Sequence, residues 1–135
     1  MIRATAAGLL ALAAGMGGAG DIAFVTAQNA GAVAIVDLDM GRIRAKVPVE
    51  GAPAPVAYDP ASGRAAVIAA DSGELTLLDS QGAVLDRVPL SEGSFGIAFA
   101  PDGDLLVADW YGARLRRLDP SARPNFSASA SSPAR

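Results

Sequence analysis

The 135-residue chain contains no cysteine and no histidine. Without cysteine there is no disulfide, no thiolate nucleophile and no covalent c-type haem attachment. Without histidine there is no imidazole-ligated zinc, copper or iron, and no histidine-based catalytic triad. No catalytic residue, no metal site and no cofactor is therefore expected. Aromatics make up only 5% of the residues, so any core is built from Val, Leu, Ile and Ala. Excess basic charge is also missing: the formal net charge is -3, whereas a nucleic-acid partner calls for a clustered basic surface. The densest basic spot is Arg114, Arg116 and Arg117. At strand spacing the first two share one face and the third takes the other, which reads as a solvated edge.

The longest apolar run, Ala4 to Ala14, is too short for a membrane span, which needs about 20 apolar residues. It follows Met1, Ile2 and a single basic Arg3, and it precedes Gly17, Gly18, Ala19 and Gly20. That is the order of a secretory signal: a basic start, an apolar middle and a small-residue cleavage site. Residues 1–20 are expected to be removed, leaving a mature chain from Asp21 that is periplasmic or secreted and has no membrane span.

What the chain does have is an internal repeat. "IAFVTAQNAGAVAIVDLDMGRIRAKVPVEGAPAPVAYDP" aligns with "AAVIAADSGELTLLDSQGAVLDRVPLSEGSFGIAFAP" and with "DLLVADWYGARLRRLDP". Val25, Val67 and Val107 correspond, at spacings of 42 and 40 residues. So do Val33, Leu75 and Leu115, and so do Asp37, Asp79 and Asp119. Gly41 matches Gly82, Val47-Pro48-Val49 matches Val88-Pro89-Leu90, and Val56 matches Ile97. Within each period, short alternating apolar segments are separated by Gly, Asp, Asn and Pro, which is strand and hairpin chemistry. A period near 40 with four strands is the signature of a propeller blade. Pro48 and Pro89 fall in the last strand of each period, where an outer edge tolerates a missing N–H. Ten strands are predicted, at 22–27, 32–38, 42–49, 55–58, 64–70, 74–79, 83–90, 95–100, 104–109 and 113–119.

The first copy resembles the YVTN-type bacterial propeller repeat, and "SFGIAFAPDGDLLVADWYGARLRRLD" is similar to the related NHL-type repeat. The resemblance covers residues 22–120 and implies an all-β, partial β-propeller of about two and a half four-stranded antiparallel blades. It implies that the first strand of each blade lines the central axis. It also implies that two sets of loops share one end of the scaffold and carry any ligand site. Those loops contain Gln28 and Asn29, Asp71, Glu92, and Asp109, Trp110 and Tyr111, which are the candidate ligand-binding residues. Trp110 and Tyr111 beside Asp109 suit sugar stacking, cation capture or a protein contact; the competing reading packs Trp110 against a further blade. Asp71, Glu92 and Asp109 lack the dense spacing of a calcium loop and read as solvated turn carboxylates. Asp37, Asp79 and Asp119 recur once per repeat and read as turn-stabilising.

A closed ring takes about four to eight blades, and the repeats here span only 21–120. After Asp119 an outer strand is due. "PSARPNFSASASSPAR" follows instead, and its Pro and Ser content predicts a disordered tail over 121–135. The preferred reading is a fragment of a longer propeller with a binding or protein-interaction role, its partner an unknown small ligand or protein. The alternatives are an inactive part of a propeller enzyme (a lactonase-like hydrolase or a quinone-dependent dehydrogenase subunit), self-association through exposed blade faces as in an oligomeric lectin-like propeller, or an open stack.

Overall fold

The computed structural model describes residues 20–121 and the backbone of 127–133. The expected export signal, Gly20 apart, lies outside the described residues. Among the described residues, eleven strands form three antiparallel sheets. The first sheet has the order β1-β2-β3, with β1 at Ile22–Ala27, β2 at Ala32–Asp37 and β3 at Arg42–Pro48. The second has the order β4-β5-β6-β7, at Pro53–Asp59, Arg64–Ala69, Leu75–Asp79 and Val84–Val88. The third comprises β8 at Ser94–Phe99, β9 at Leu105–Asp109, β10 at Arg114–Asp119 and β11 at Ser127–Pro133. All ten predicted strands are present, and their ends lie within two residues of the expected ones.

The eleventh strand corrects the sequence reading. Disorder was expected over 121–135, yet β11 pairs antiparallel with β10, from Arg114 opposite Pro133 to Asp119 opposite Ser127, with one irregularity between Leu115 and Arg117. Composition misleads here because an outermost strand is held by its backbone. The edge of β10 supplies N–H and C=O groups along its length, and "SASASSP" needs no large apolar residue to answer them. Proline closes β11 at Pro133 as it closes β3 at Pro48. The third sheet thus has all four strands, and only the first lacks one among the described residues.

The sheets stack face to face. Residues of β5 alternate between two cores. Ala65 and Val67 join Val33, Ile35, Val47, Val49 and Leu78 between the first and second sheets. Ala66 and Ile68 join Leu75, Leu77, Val88, Leu105, Val107 and Leu118 between the second and third. Every residue of β5 after Arg64 is buried, whereas β2 and β9 alternate buried and half-buried positions. The middle sheet is therefore covered on both faces and each flanking sheet on one. β4 packs beside β8 and beside β1, so the inner strands converge as blades do around an axis. Gly82 shows how tightly the sheets meet. It has φ of 92°, and a Cβ there would lie 3.1 Å from both Ile35 and Val47 of the first sheet.

Leu77→Ala removes a fully buried side chain from the second core and is expected to cost about 2–5 kcal/mol. Leu38→Ala, on an exposed turn, should stay within about 0.5 kcal/mol of the parent. Urea denaturation followed by circular dichroism measures both.

Candidate functional site

The two ends of the stack differ in chemistry. At one end the turns repeat. Asp37 accepts from the Met40 N–H at 2.8 Å, and its other oxygen takes the Arg44 guanidinium at 2.8–2.9 Å. Asp59 accepts from Ala61 and Ser62. Asp79 accepts from Gln81 and Ala83, and Asp119 from Ser121. These carboxylates cap turn N–H groups, as the recurrence of Asp37, Asp79 and Asp119 in the sequence implies. A cavity of about 310 Å³ at this end is lined by Asp59, Arg64, Asp102, Asp104 and Asp119 among others. Its carboxylates already serve turns or the Arg117 guanidinium, which pairs with both Asp102 and Asp104.

The other end carries the loops that depart from the repeat. Where the first two copies have Ala27 and Ala69, the third has Asp109; where they have Gln28 and Ala70, it has Trp110. Asp109 is 4% exposed. Its carboxylate accepts from the Ser91 hydroxyl at 2.7 Å and from the Gly112 N–H at 2.8 Å. Ser91 also lies 3.1 Å from the Ser94 hydroxyl. The Trp110 N–H donates to the Gly93 carbonyl at 2.8 Å. These bonds tie the β9–β10 loop to the β7–β8 loop. Gly93 makes the approach possible, because a Cβ there would collide with the Asp109 carboxylate and lie 2.8 Å from the Tyr111 nitrogen. On the other side, the backbone of Ser91 presses against Gly73 of the β5–β6 turn, where φ is 72° and no side chain fits.

The result is a rigid base beneath an exposed aromatic cluster. Trp110 is 70% exposed and Tyr111 85%. The Trp110 ring meets Phe95 with centroids 5.5 Å apart, tilted by 59°. A cleft of about 250 Å³ is lined by Ala70, Glu92, Gly93, Phe95, Trp110 and Tyr111. Of the candidates read from the sequence, Glu92, Trp110 and Tyr111 come together in this cleft, and Asp109 lies beneath as their anchor. Asp71 stands exposed on the neighbouring β5–β6 turn, its N–H held by Gly51 at 3.0 Å. Gln28 and Asn29 form a single 3-10 turn between β1 and β2; neither they nor Asp71 lines the cleft. Sequence reasoning missed Phe95. The signal was present, since Phe95 stands where the preceding copy has Ala54. Among the described residues, the two non-glycine residues at positive φ, Ala52 at 58° and Ala113 at 46°, also sit in loops at this end.

The Gly112 N–H, then the Ser91 hydroxyl, hold the Asp109 carboxyl below its ordinary value; burial opposes them, and Arg114 and Arg116 assist. A carboxylate depressed in the folded state contributes stability that is complete above about pH 4 and is lost as pH falls through its own lower value. Because Trp110 is the sole tryptophan, its emission reports on this loop. The native emission should persist down to about pH 4 and change below it. Asp109→Ala should show altered emission already at neutral pH, with the sheet signal in circular dichroism retained. Emission identical to the parent would remove Asp109 as the tether.

No protein-family model matches the sequence, and no curated protein matches it. Solved structures do. Hydrazine synthase of Kuenenia stuttgartiensis superposes with a TM-score of 0.70 at 21% identity, over 79% of this chain and 32% of that one. Virginiamycin B lyase from Staphylococcus aureus gives a TM-score of 0.65 at 14% identity, over 80% and 37%. The Cps50 (Swd1) β-propeller domain of Myceliophteria thermophila gives 0.62 at 12% identity, over 80% and 36%. The chain thus spans about a third of the length of the solved chains it matches. At these identities the likeness establishes the fold: an all-β arc of consecutive propeller blades.

Proposed function

We propose that this chain is a propeller segment of YVTN/NHL type with a binding or protein-interaction role, and that its ligand surface is the Phe95–Trp110–Tyr111 cluster with Glu92 beside it. One observation carries the reading. The sole tryptophan and one of two tyrosines stand exposed on a loop whose base is fixed by a buried carboxylate. Large aromatics left in water on a fixed loop are what binding hot spots are made of, because little conformational freedom is lost on contact. Positive φ at Ala52 and Ala113 adds strain at the same end, where binding loops concentrate it.

The chemistry favours a cationic group. Aromatic faces attract a cation through their quadrupole, and the Glu92 carboxylate on the rim of the cleft supplies the counter-charge. A lysine or arginine side chain of a protein partner fits that description. Catalysis has less to work with: a virginiamycin B lyase in which one histidine is replaced by alanine is described as catalytically inactive, and this chain has no histidine at all. The proposal extends to a partner outside the cytoplasm, on the expectation that residues 1–20 are an export signal.

An array of Lys- and Arg-bearing peptides, followed by calorimetric titration of the peptides that bind, tests the proposal. Trp110→Ala and Tyr111→Ala are each expected to weaken binding at least tenfold, about 1.4 kcal/mol. Glu92→Gln should lose less, and its loss should shrink as salt rises. Absence of binding to every basic peptide would overturn the cationic reading. Glycan-array binding that disappears in Trp110→Ala would replace it with sugar stacking.

A further inference from the structure

Each of the two internal junctions joins unlike faces in the same sense. The Val33–Ile35 face of the first sheet packs on the Ala65–Val67 face of the second. The Leu75–Leu77 face of the second packs on the Leu105–Val107 face of the third. Leu75 is the repeat equivalent of Val33, and Val107 is that of Val67, so one junction is built twice from corresponding residues. A third junction of this kind has both halves on the surface. Leu115, equivalent to Val33 and Leu75, is 48% exposed where those two are 0% exposed. Val25, equivalent to Val67 and Val107, is likewise 48% exposed where those two are 0% exposed.

The surroundings of both residues complete the likeness. Register places Ala108 opposite Leu115 and Leu106 opposite Arg117, so Leu106 and Ala108 share the Leu115 face. It places Ala34 opposite Val25 and Val36 opposite Ala23, so these share the Val25 face. In the second sheet the matching positions are Ala66 and Ile68 on one face, and Ala65, Thr76 and Leu78 on the other, all fully buried. Arg117 is the charged residue at the margin of the Leu115 face, and Asp102 and Asp104 already neutralise it. β11 completes the sheet that carries this face.

We propose that a second copy of this chain covers these faces, with the Leu115 face of each copy packed on the Val25 face of the other. The contact is head-to-tail, so a single pair leaves one face of each kind free, and those two meet if the rotation closes. Two copies bring together six sheets, inside the range of about four to eight at which propeller rings close. The occupant is a second copy because the chain itself displays the partner face, in the register that its two internal junctions already use.

Sedimentation equilibrium of the full chain tests this. The expected mass is about 27 kDa, twice the 13.5 kDa of one chain. Val25→Lys and Leu115→Lys each break both junctions of the closed pair and should each sediment as a monomer. Both positions are half exposed, so an unchanged sheet signal in circular dichroism will show that the variants fold. Mixing the two variants leaves one intact junction, and the 27 kDa species should return at higher concentration. A parent chain that stays monomeric at its highest soluble concentration would overturn the proposal and assign the faces to further blades of a longer polypeptide. Loss of association in Leu115→Lys alone, with Val25→Lys unaffected, would also overturn it by showing like faces paired. So would a mixture that stays monomeric.

Discussion

A sheet that is apolar on both faces is stable in water only when something apolar lies against each face. Every other feature of this chain answers to that requirement. β5 and β6 are nearly continuous runs of aliphatic residues, and they can be so only because the first and third sheets sandwich them. Alternation then divides one strand between two cores, with Ala65 and Val67 serving one and Ala66 and Ile68 the other. Small residues at 65 and 66 also let the stack close tightly. At roughly 25 cal/mol per Å² of apolar surface removed from water, these two junctions supply most of the driving force, since among the described residues only the Arg44–Asp37 ion pair has a buried partner and the others are open to solvent.

With cohesion assigned to the sheet faces, the loops are free to vary, and the aromatic departures gather at one end. The end held by Asp37, Asp79 and Asp119 repeats its chemistry from blade to blade, because the turn after each of these residues presents unsatisfied N–H groups. The opposite end breaks the repeat at Phe95, Asp109 and Trp110. Two of these changes are coupled through the loop itself. A carboxylate at 109 holds the loop while the neighbouring indole projects from it, and Gly93 leaves the room that both need. Repetition therefore marks structure in this chain, and departure from it marks the surface available for recognition.

That distinction explains how much could be read beforehand. Strand positions were legible to within two residues because period-2 alternation and turn chemistry are local properties. The blade assignment was legible because equivalent residues recur. β11 was not, because composition reports on burial, and an outer strand of Ser and Ala depends on backbone pairing with β10 instead. The cleft was half legible. Trp110, Tyr111 and Glu92 stand out as loop residues, but the role of Asp109 as a buried tether depends on Ser91, 18 residues earlier in the chain. Phe95 looked like an ordinary strand residue until its ring was placed beside Trp110. Gln28, Asn29 and Asp71 share the same end without sharing the cleft, a separation set by the fan of the blades and invisible in the repeat alone.

Trp110 raised a further alternative: an exposed aromatic on the last blade could be packing material for a blade to come. Its neighbours argue otherwise. The indole meets Phe95 of its own sheet, and the cleft beside it is lined by Ala70 from the loop after β5. The cluster thus straddles the junction between the second and third sheets, which this chain forms in full. The free Leu115 face lies on the far side of the third sheet, away from that junction. Whatever covers the outer faces, the geometry of the aromatic cleft is already fixed by the buried bonds of Asp109 and by the core that Leu77, Leu105 and Val107 build below it.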